Sequence, residues 1–312
     1  MTEPTEPGRP DGVIGRRAVL DLTGFTSPEQ LAGITAIERV ATAVVPRSLA
    51  AAFTAIPAGK IASTVFVPDG TRARLHTGTL MLGGDSLGSP DDALIVTGLL
   101  VVTTPVTGEL PALIHVTGTV LVPRGSEAAI GRVLEGTGAV VGYRWAQGQE
   151  IRAHGGQVTV SGSSLANPVG EPDDVLVLAG QALVAGEVGD IGYRQVLVLG
   201  QAAMPQTARE RIDPYLTVQG QLGWYASDNP RMLTEETELA AEFLQLQERP
   251  VSLIVTDTLR FAADVTPELL REKVADIVLF DDIVAPAALI PTLHYLAAQN
   301  YGTIRSEGGS AG

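Results

Sequence analysis

Between His76 and Val141 the chain reads His76-Thr77-Gly78, Val96-Thr97-Gly98, Val116-Thr117-Gly118 and Gly136-Thr137-Gly138, so that a Thr-Gly pair returns every 20 residues. A fixed period of this length marks one small structural unit stacked many times. The beat slips once, to Ser161-Gly162, and resumes at Gly180, Gly200 and Gly220.

Aligned on the glycine, the columns sort by parity. Four residues before it stand Leu94, Ile114, Leu134, Val158, Leu176, Val196 and Leu216; two before it, Val96, Val116, Val160, Leu178, Val198 and Val218; two after it, Leu80, Leu100, Val120, Val140 and Leu222. Positions two apart share a strand face, so these aliphatic columns predict the interior. The opposite parity carries Thr77, Thr97, Thr117 and Thr137 just before the glycine, and Gln181, Gln201 and Gln221 just after it. Those columns predict an outer face on which like side chains of successive coils lie ~4.8 Å apart and hydrogen-bond along the stack. The expected fold is mainly β, a parallel β-solenoid of ~20-residue coils, with short helices at both ends and one helical excursion near 230–247.

The boundaries follow from what interrupts the pattern. Residues 1–12 and 306–312 lack apolar periodicity and are expected to be disordered tails. Between them 13–305 reads as a single domain: 13–56 an N-terminal cap with the first coils, 57–227 regular coils, 228–250 the excursion, and 251–305 strand-helix coils with a closing cap. Pro46 and Pro68 each end an apolar run, because proline lacks the N–H that continues a ladder. Ser27-Pro28-Glu29-Gln30 offers a capping box and a proline at the first helical position. Thr234-Glu235-Glu236 ahead of Leu239, Ala240, Phe243 and Leu244 predicts an amphipathic helix, Thr266-Pro267-Glu268 opens another, and Ala287 to Gln299 a last one.

Composition narrows the chemistry. With 45% apolar residues and only 4% aromatics, the core is built of Val, Leu, Ile and Ala. A net charge of -14 disfavours broad contact with phosphate backbones, so nucleic acid is not an expected partner. No window approaches the ~18 apolar residues of a spanning helix, and the zero cysteines fit a reducing compartment; a cytoplasmic protein without a membrane span is expected. His76 and His115 stand at offsets of two and three from their glycines, on opposite faces, and so do not converge on a metal. The pairs Asp91-Asp92 and Asp173-Asp174 read as turns in which aspartate bonds its own backbone. Neither a phosphate-loop motif nor a Gly-x-Ser-x-Gly elbow occurs. No enzyme, cofactor or metal is therefore expected.

The last turns resemble leucine-rich repeats in alternating a short strand with a helix, and the whole resembles bactofilin-type β-solenoids in setting a proline-rich tail before small valine-rich coils. Both resemblances imply architecture only. Thr77-Gly78-Thr79 and Thr117-Gly118-Thr119 also resemble the Thr-x-Thr ranks of ice-binding β-solenoids. The role expected from the residues themselves is a scaffold that self-associates, as a lateral homo-oligomer or filament, or binds another protein through Thr77, Thr97, Thr117, Thr137, Gln181, Gln201 and Gln221. Leu75, Ile95, Val177 and Leu197, on the same parity, are expected to make that face partly apolar. The alternative is a carbohydrate-binding or carbohydrate-active β-helix.

Overall fold

Thr77, Thr97 and Thr117 are ladder neighbours, as are Gly78, Gly98 and Gly118, in a computed structural model that describes residues 12–136, 138–297 and 299–307. Thr137 and the tail residues 1–11 and 308–312 lie outside the described residues. The protein is mainly β, 46% strand against 18% helix, in several parallel sheets of short strands. Successive strands pair parallel at the sequence period, so each repeat returns beside the one before it.

The repeated glycine marks a corner. Gly98 and Gly118 have φ of 128° and 137°, and a Cβ on either would lie 2.4 or 2.0 Å from the carbonyl oxygen of the glycine one repeat earlier. Left-handed backbone and close stacking both demand glycine there. The slip is placed differently from the sequence expectation. Gly156, not Gly162, precedes Gly180 in the ladder: Gln157 pairs with Gln181 and His154 with Leu178. The extra residues of this repeat are taken up after the strand, by the 3-10 helix Gly162–Ala166 and the turn that follows.

Contacts divide the chain into two compact units, Met1–Trp145 and Ala146–Gly312. In the first, strands Gly12–Asp21, Ile34–Pro46 and Ile61–Val67 form one sheet, and Arg72–Leu82, Asp92–Val102 and Leu113–Pro123 lead a second that ends on Leu134–Glu135 and Ala139–Tyr143. In the second unit each repeat is a strand pair split at the corner. One set of paired sheets runs from Ile151 to Tyr225 and another from Pro230 to Ser306.

Each of these four groups closes its core in the same way. Pro46, Pro123 and Pro205 are the last residues of strands, and Pro286 directly follows one. A helical segment follows each, ahead of the group's last strands, and adds aliphatic or aromatic side chains to the strand core: Leu49 and Phe53, Ile130, Ala208 and Ile212, Leu289 and Leu293. Proline cannot extend the ladder, and its own φ suits the entry to a turn. Unit-internal clusters then join groups face to face: Val44, Val65 and Val67 against Ala93, Ile95 and Leu113, and Leu183, Ala203 and Tyr225 against Ile254, Val278 and Phe280.

The 228–250 stretch departs from the expected long helix. It forms strands Pro230–Leu233 and Thr237–Leu239, and only Ala241–Gln245 is helical. Leu239 and Leu244 both enter the core, Leu239 from a strand and Leu244 from the short helix; ladder pairing of Pro230–Leu233 and Thr237–Leu239 to Val251–Val255 and Leu259–Phe261 outweighs the helix propensity of so short a segment. The Thr266 cap is as expected, its hydroxyl accepting from the Leu269 N–H. The helix after Ala287 ends at Leu296, and two further strands, Gln299–Asn300 and Ile304–Ser306, follow it.

Candidate interaction face

Thr77, Thr97 and Thr117 sit immediately before the corner glycines, which turn them outward, and all three are exposed. They form one rank of identical hydroxyls across three adjacent strands. Gln181, Gln201 and Gln221 form a second rank, in the second unit. There the amides hydrogen-bond along the stack: Gln181 Nε2 donates to Gln201 Oε1 at 3.5 Å and Gln201 Nε2 to Gln221 Oε1 at 3.1 Å.

The two ranks differ in what lies in front of them. The glutamines are half-buried, and Gln181 Nε2 also donates to the Thr256 carbonyl at 3.3 Å, on the facing sheet of the same unit. Gln299 bridges the same two sheets, accepting from the Trp224 N–H and donating to the Trp224 carbonyl, and Tyr301 OH donates to the Leu222 carbonyl. The threonine hydroxyls face solvent.

The apolar strip expected beside these ranks is largely interior. Ile95 is 3% exposed, and Val177 and Leu197 are fully buried, leaving only Leu75 exposed at 37%. Ile95 packs on Val44, Val65 and Val67. Parallel sheets covered on both faces read as apolar on both parities, and Ile95 marks such a second layer within the first unit.

The aspartate pairs are turns, as their residue types predict. Asp92 is nearly buried; its carboxylate accepts from Ser89 N and Oγ and pairs with Arg72 at 3.0 Å, and the Ser89 N–H above all holds it below the usual carboxylate range. Asp174 occupies the equivalent place in the second unit and is 1% exposed. Burial acts to raise its pKa, but hydrogen bonds from the Asn167 amide, Glu150 N and Glu171 N together outweigh it, and the carboxyl is held low. Asp276 goes the other way: burial dominates and raises it, against the bonds from Ser252 Oγ and Ala226 N. His115 lies beside Glu135 on the ladder, and burial lowers its pKa more than Glu135 raises it. Among the described residues no three His, Asp or Glu side chains cluster so as to hold a metal, and no helix is long and apolar enough to cross a membrane.

Sequence reasoning missed a feature of the first sheet. Arg16 and Arg39 adopt left-handed φ of 51° and 54°, and the corner glycines of the second sheet also have positive φ. The doublet Arg16-Arg17 and then Arg39, one pairing register further on, were the available signal. No family model, curated protein or solved structure matches this chain.

Proposed function

We propose that this protein is a non-catalytic, cytoplasmic β-solenoid scaffold that associates with itself or with a protein partner through the rank of Thr77, Thr97 and Thr117. The observation that carries this reading is the contrast between the two polar ranks: the glutamine rank already serves contacts inside its own unit, while the threonine rank offers three aligned hydroxyls to solvent. Each hydroxyl is both donor and acceptor, so a rank of them matches another polar strand or rank without needing a charged counterpart. Replacing Thr77, Thr97 and Thr117 together by Lys places three like charges on the rank and leaves the core untouched. Light scattering coupled to size-exclusion chromatography is expected to show a smaller species than wild type, with an unchanged dichroism spectrum. An unchanged mass, or unchanged capture of a partner where wild type is a monomer, refutes the reading.

A further inference from the structure

Arg16, Arg39 and Lys60 form a column. Gly15 pairs with Glu38 and Arg17 with Val40, which sets Arg16 beside Arg39; Gly59 N bonds the Ile37 carbonyl and Val40 N the Lys60 carbonyl, which sets Arg39 beside Lys60. Three cations therefore stand side by side, Arg16 and Arg39 on adjacent strands and Lys60 at the entry to the next, Ile61–Val67, at the ~4.8 Å sheet spacing. All are exposed, and none makes an ion pair among the described residues; Glu38, in the neighbouring column, is exposed as well. The column is unfavourable by itself twice over. Like charges oppose one another across the ladder, and two of the three residues hold a left-handed backbone that side-chain-bearing residues avoid. In a chain of net charge -14 such a column is not a by-product of composition.

A complementary column exists on the same chain. In the sheets from Pro230 to Ser306, Leu233 pairs with Val255 and Val255 with Leu279, while Thr237 pairs with Leu259 and Leu259 with Ile283. The three-residue corners between these pairs place Glu235, Asp257 and Asp281 side by side, on the same strand spacing. Glu235 is exposed and the two aspartates half-buried, and none of the three pairs with a cation among the described residues. Their neighbours Glu236 and Asp282, by contrast, are taken by Arg260 and Arg305.

We propose that the Arg16–Arg39–Lys60 column of one molecule docks on the Glu235–Asp257–Asp281 column of a second copy. Equal strand spacing lets three charge pairs form in one register, and a one-strand slip loses one of them. Because the two columns are different surfaces, the contact is heterologous and generates a ring or an open filament. The proposal shares with the threonine reading only the idea of self-association, and it uses different residues and a different force.

The test uses the full chain in sedimentation velocity, with two charge-reversed variants: Arg16→Glu/Arg39→Glu/Lys60→Glu and Glu235→Lys/Asp257→Lys/Asp281→Lys. Wild type is expected to associate at low ionic strength and to weaken at least about tenfold on moving to ~0.5 M salt, where screening is strong. Each variant alone is expected to be monomeric, and an equimolar mixture of the two to associate again, since each then meets opposite charge. Restoration in the mixture shows that both variants are folded and that the pairing is electrostatic. A threonine-rank contact predicts little salt dependence and no restoration, so the two readings fail separately. Association that persists in both variants overturns the proposal. So does a mixture that stays monomeric, or a wild type monomeric at low salt that binds single-stranded DNA through the basic column instead. Arg16→Gly/Arg39→Gly supplies a further check: it is expected to raise the melting temperature while weakening association, a combination that a purely structural role for these arginines forbids.

Discussion

The threonine rank of the first unit and the glutamine rank of the second flank the glycine of the repeat, one residue before it and one after, yet one meets water and the other meets protein. The cause is what the neighbouring columns do. Around the glutamines, Leu183, Ala203 and Tyr225 are apolar and draw a facing sheet carrying Ile254, Val278 and Phe280 onto them. Around the threonines the apolar cover stops short: Ile95 is packed under Val44 and Val65, but Thr97, two residues on and past the reach of that cluster, is exposed. A polar ladder is therefore a surface only where no second layer arrives. Its hydrogen bonds are compatible with either setting.

The largest effects test the inside of both units. Val116 and Val198 are fully buried on interior columns, and Val116→Asp or Val198→Asp buries an unpaired charge at a cost on the order of 4 kcal/mol or more. Both variants are expected in the insoluble fraction. Thr117→Asp, one position from Val116, is expected to fold with a near-normal dichroism spectrum. Equal behaviour of Val116→Asp and Thr117→Asp ends the inside-outside assignment on which the comparison rests.

Two aspartates of the second unit come next, Asp174 buried and Asp276 half-buried, and they are expected to respond oppositely to pH. Asp174 has a folded pKa below its unfolded value, so its contribution is present at neutral pH and is lost as pH falls through the folded value. Asp174→Ala leaves three donors without their acceptor and is expected to lower stability by about 3 kcal/mol at pH 7, a difference that shrinks in urea melts taken below about pH 4. Asp276 has a raised folded pKa, so its contribution is complete below the unfolded value and is lost as pH rises through the folded one. Asp276→Asn keeps an acceptor for Ser252 and Ala226 while removing the half-buried charge, and is expected to leave stability at pH 7 equal or higher. A loss there comparable to that of Asp174→Ala contradicts the assigned direction.

Much of this was legible in the residues because strand parity is a strict rule. Val96, Val116, Val198 and Leu100 had to share a face, and they are all fully buried, whereas Val140 and Val218, expected on the same columns, are 37% and 39% exposed because their strands end their sheets. The turn role of Asp92 and Asp174 followed from the backbone chemistry of aspartate. What was illegible arises between groups. Nothing local separates Ile95 under a second sheet from Leu75 in solvent, since both are aliphatic at one offset. Leu239 fits a helix as well as a strand, and ladder pairing with Phe261 decided for the strand, while Leu244 stayed in the helix Ala241–Gln245. The register at Gly156 was overlooked because Ser161-Gly162 matches the threonine-glycine pairs before it, whereas Gly156-Gln157 matches the glycine-glutamine pairs that follow and is the one that pairs with them.

A smaller effect separates the ranks themselves. Gln201 is the middle member of the amide ladder, donating to Gln221 and accepting from Gln181. Gln201→Ala removes both bonds in a half-buried setting, and a loss of about 1 kcal/mol in denaturant unfolding is expected. Gln201→Glu keeps an acceptor for Gln181 but removes the donor to Gln221, and is expected to fall between wild type and the alanine variant.

The smallest effect is expected at Thr97, and its smallness is informative. Its hydroxyl faces solvent between two identical neighbours, Thr77 and Thr117. Thr97→Val keeps the β-branched shape that suits a strand and removes only a hydroxyl that water already satisfies, so the change in unfolding free energy is expected to stay within about 0.5 kcal/mol. Association, by contrast, draws on that hydroxyl if the threonine rank is the docking surface. Measured side by side, an unmoved denaturation midpoint with a weakened self-association or partner affinity assigns the rank to binding. A destabilisation as large as that of Gln201→Ala means that the threonine hydroxyls are bonded within the fold much as the glutamine amides are, and the distinction between an exposed and a covered rank is then lost.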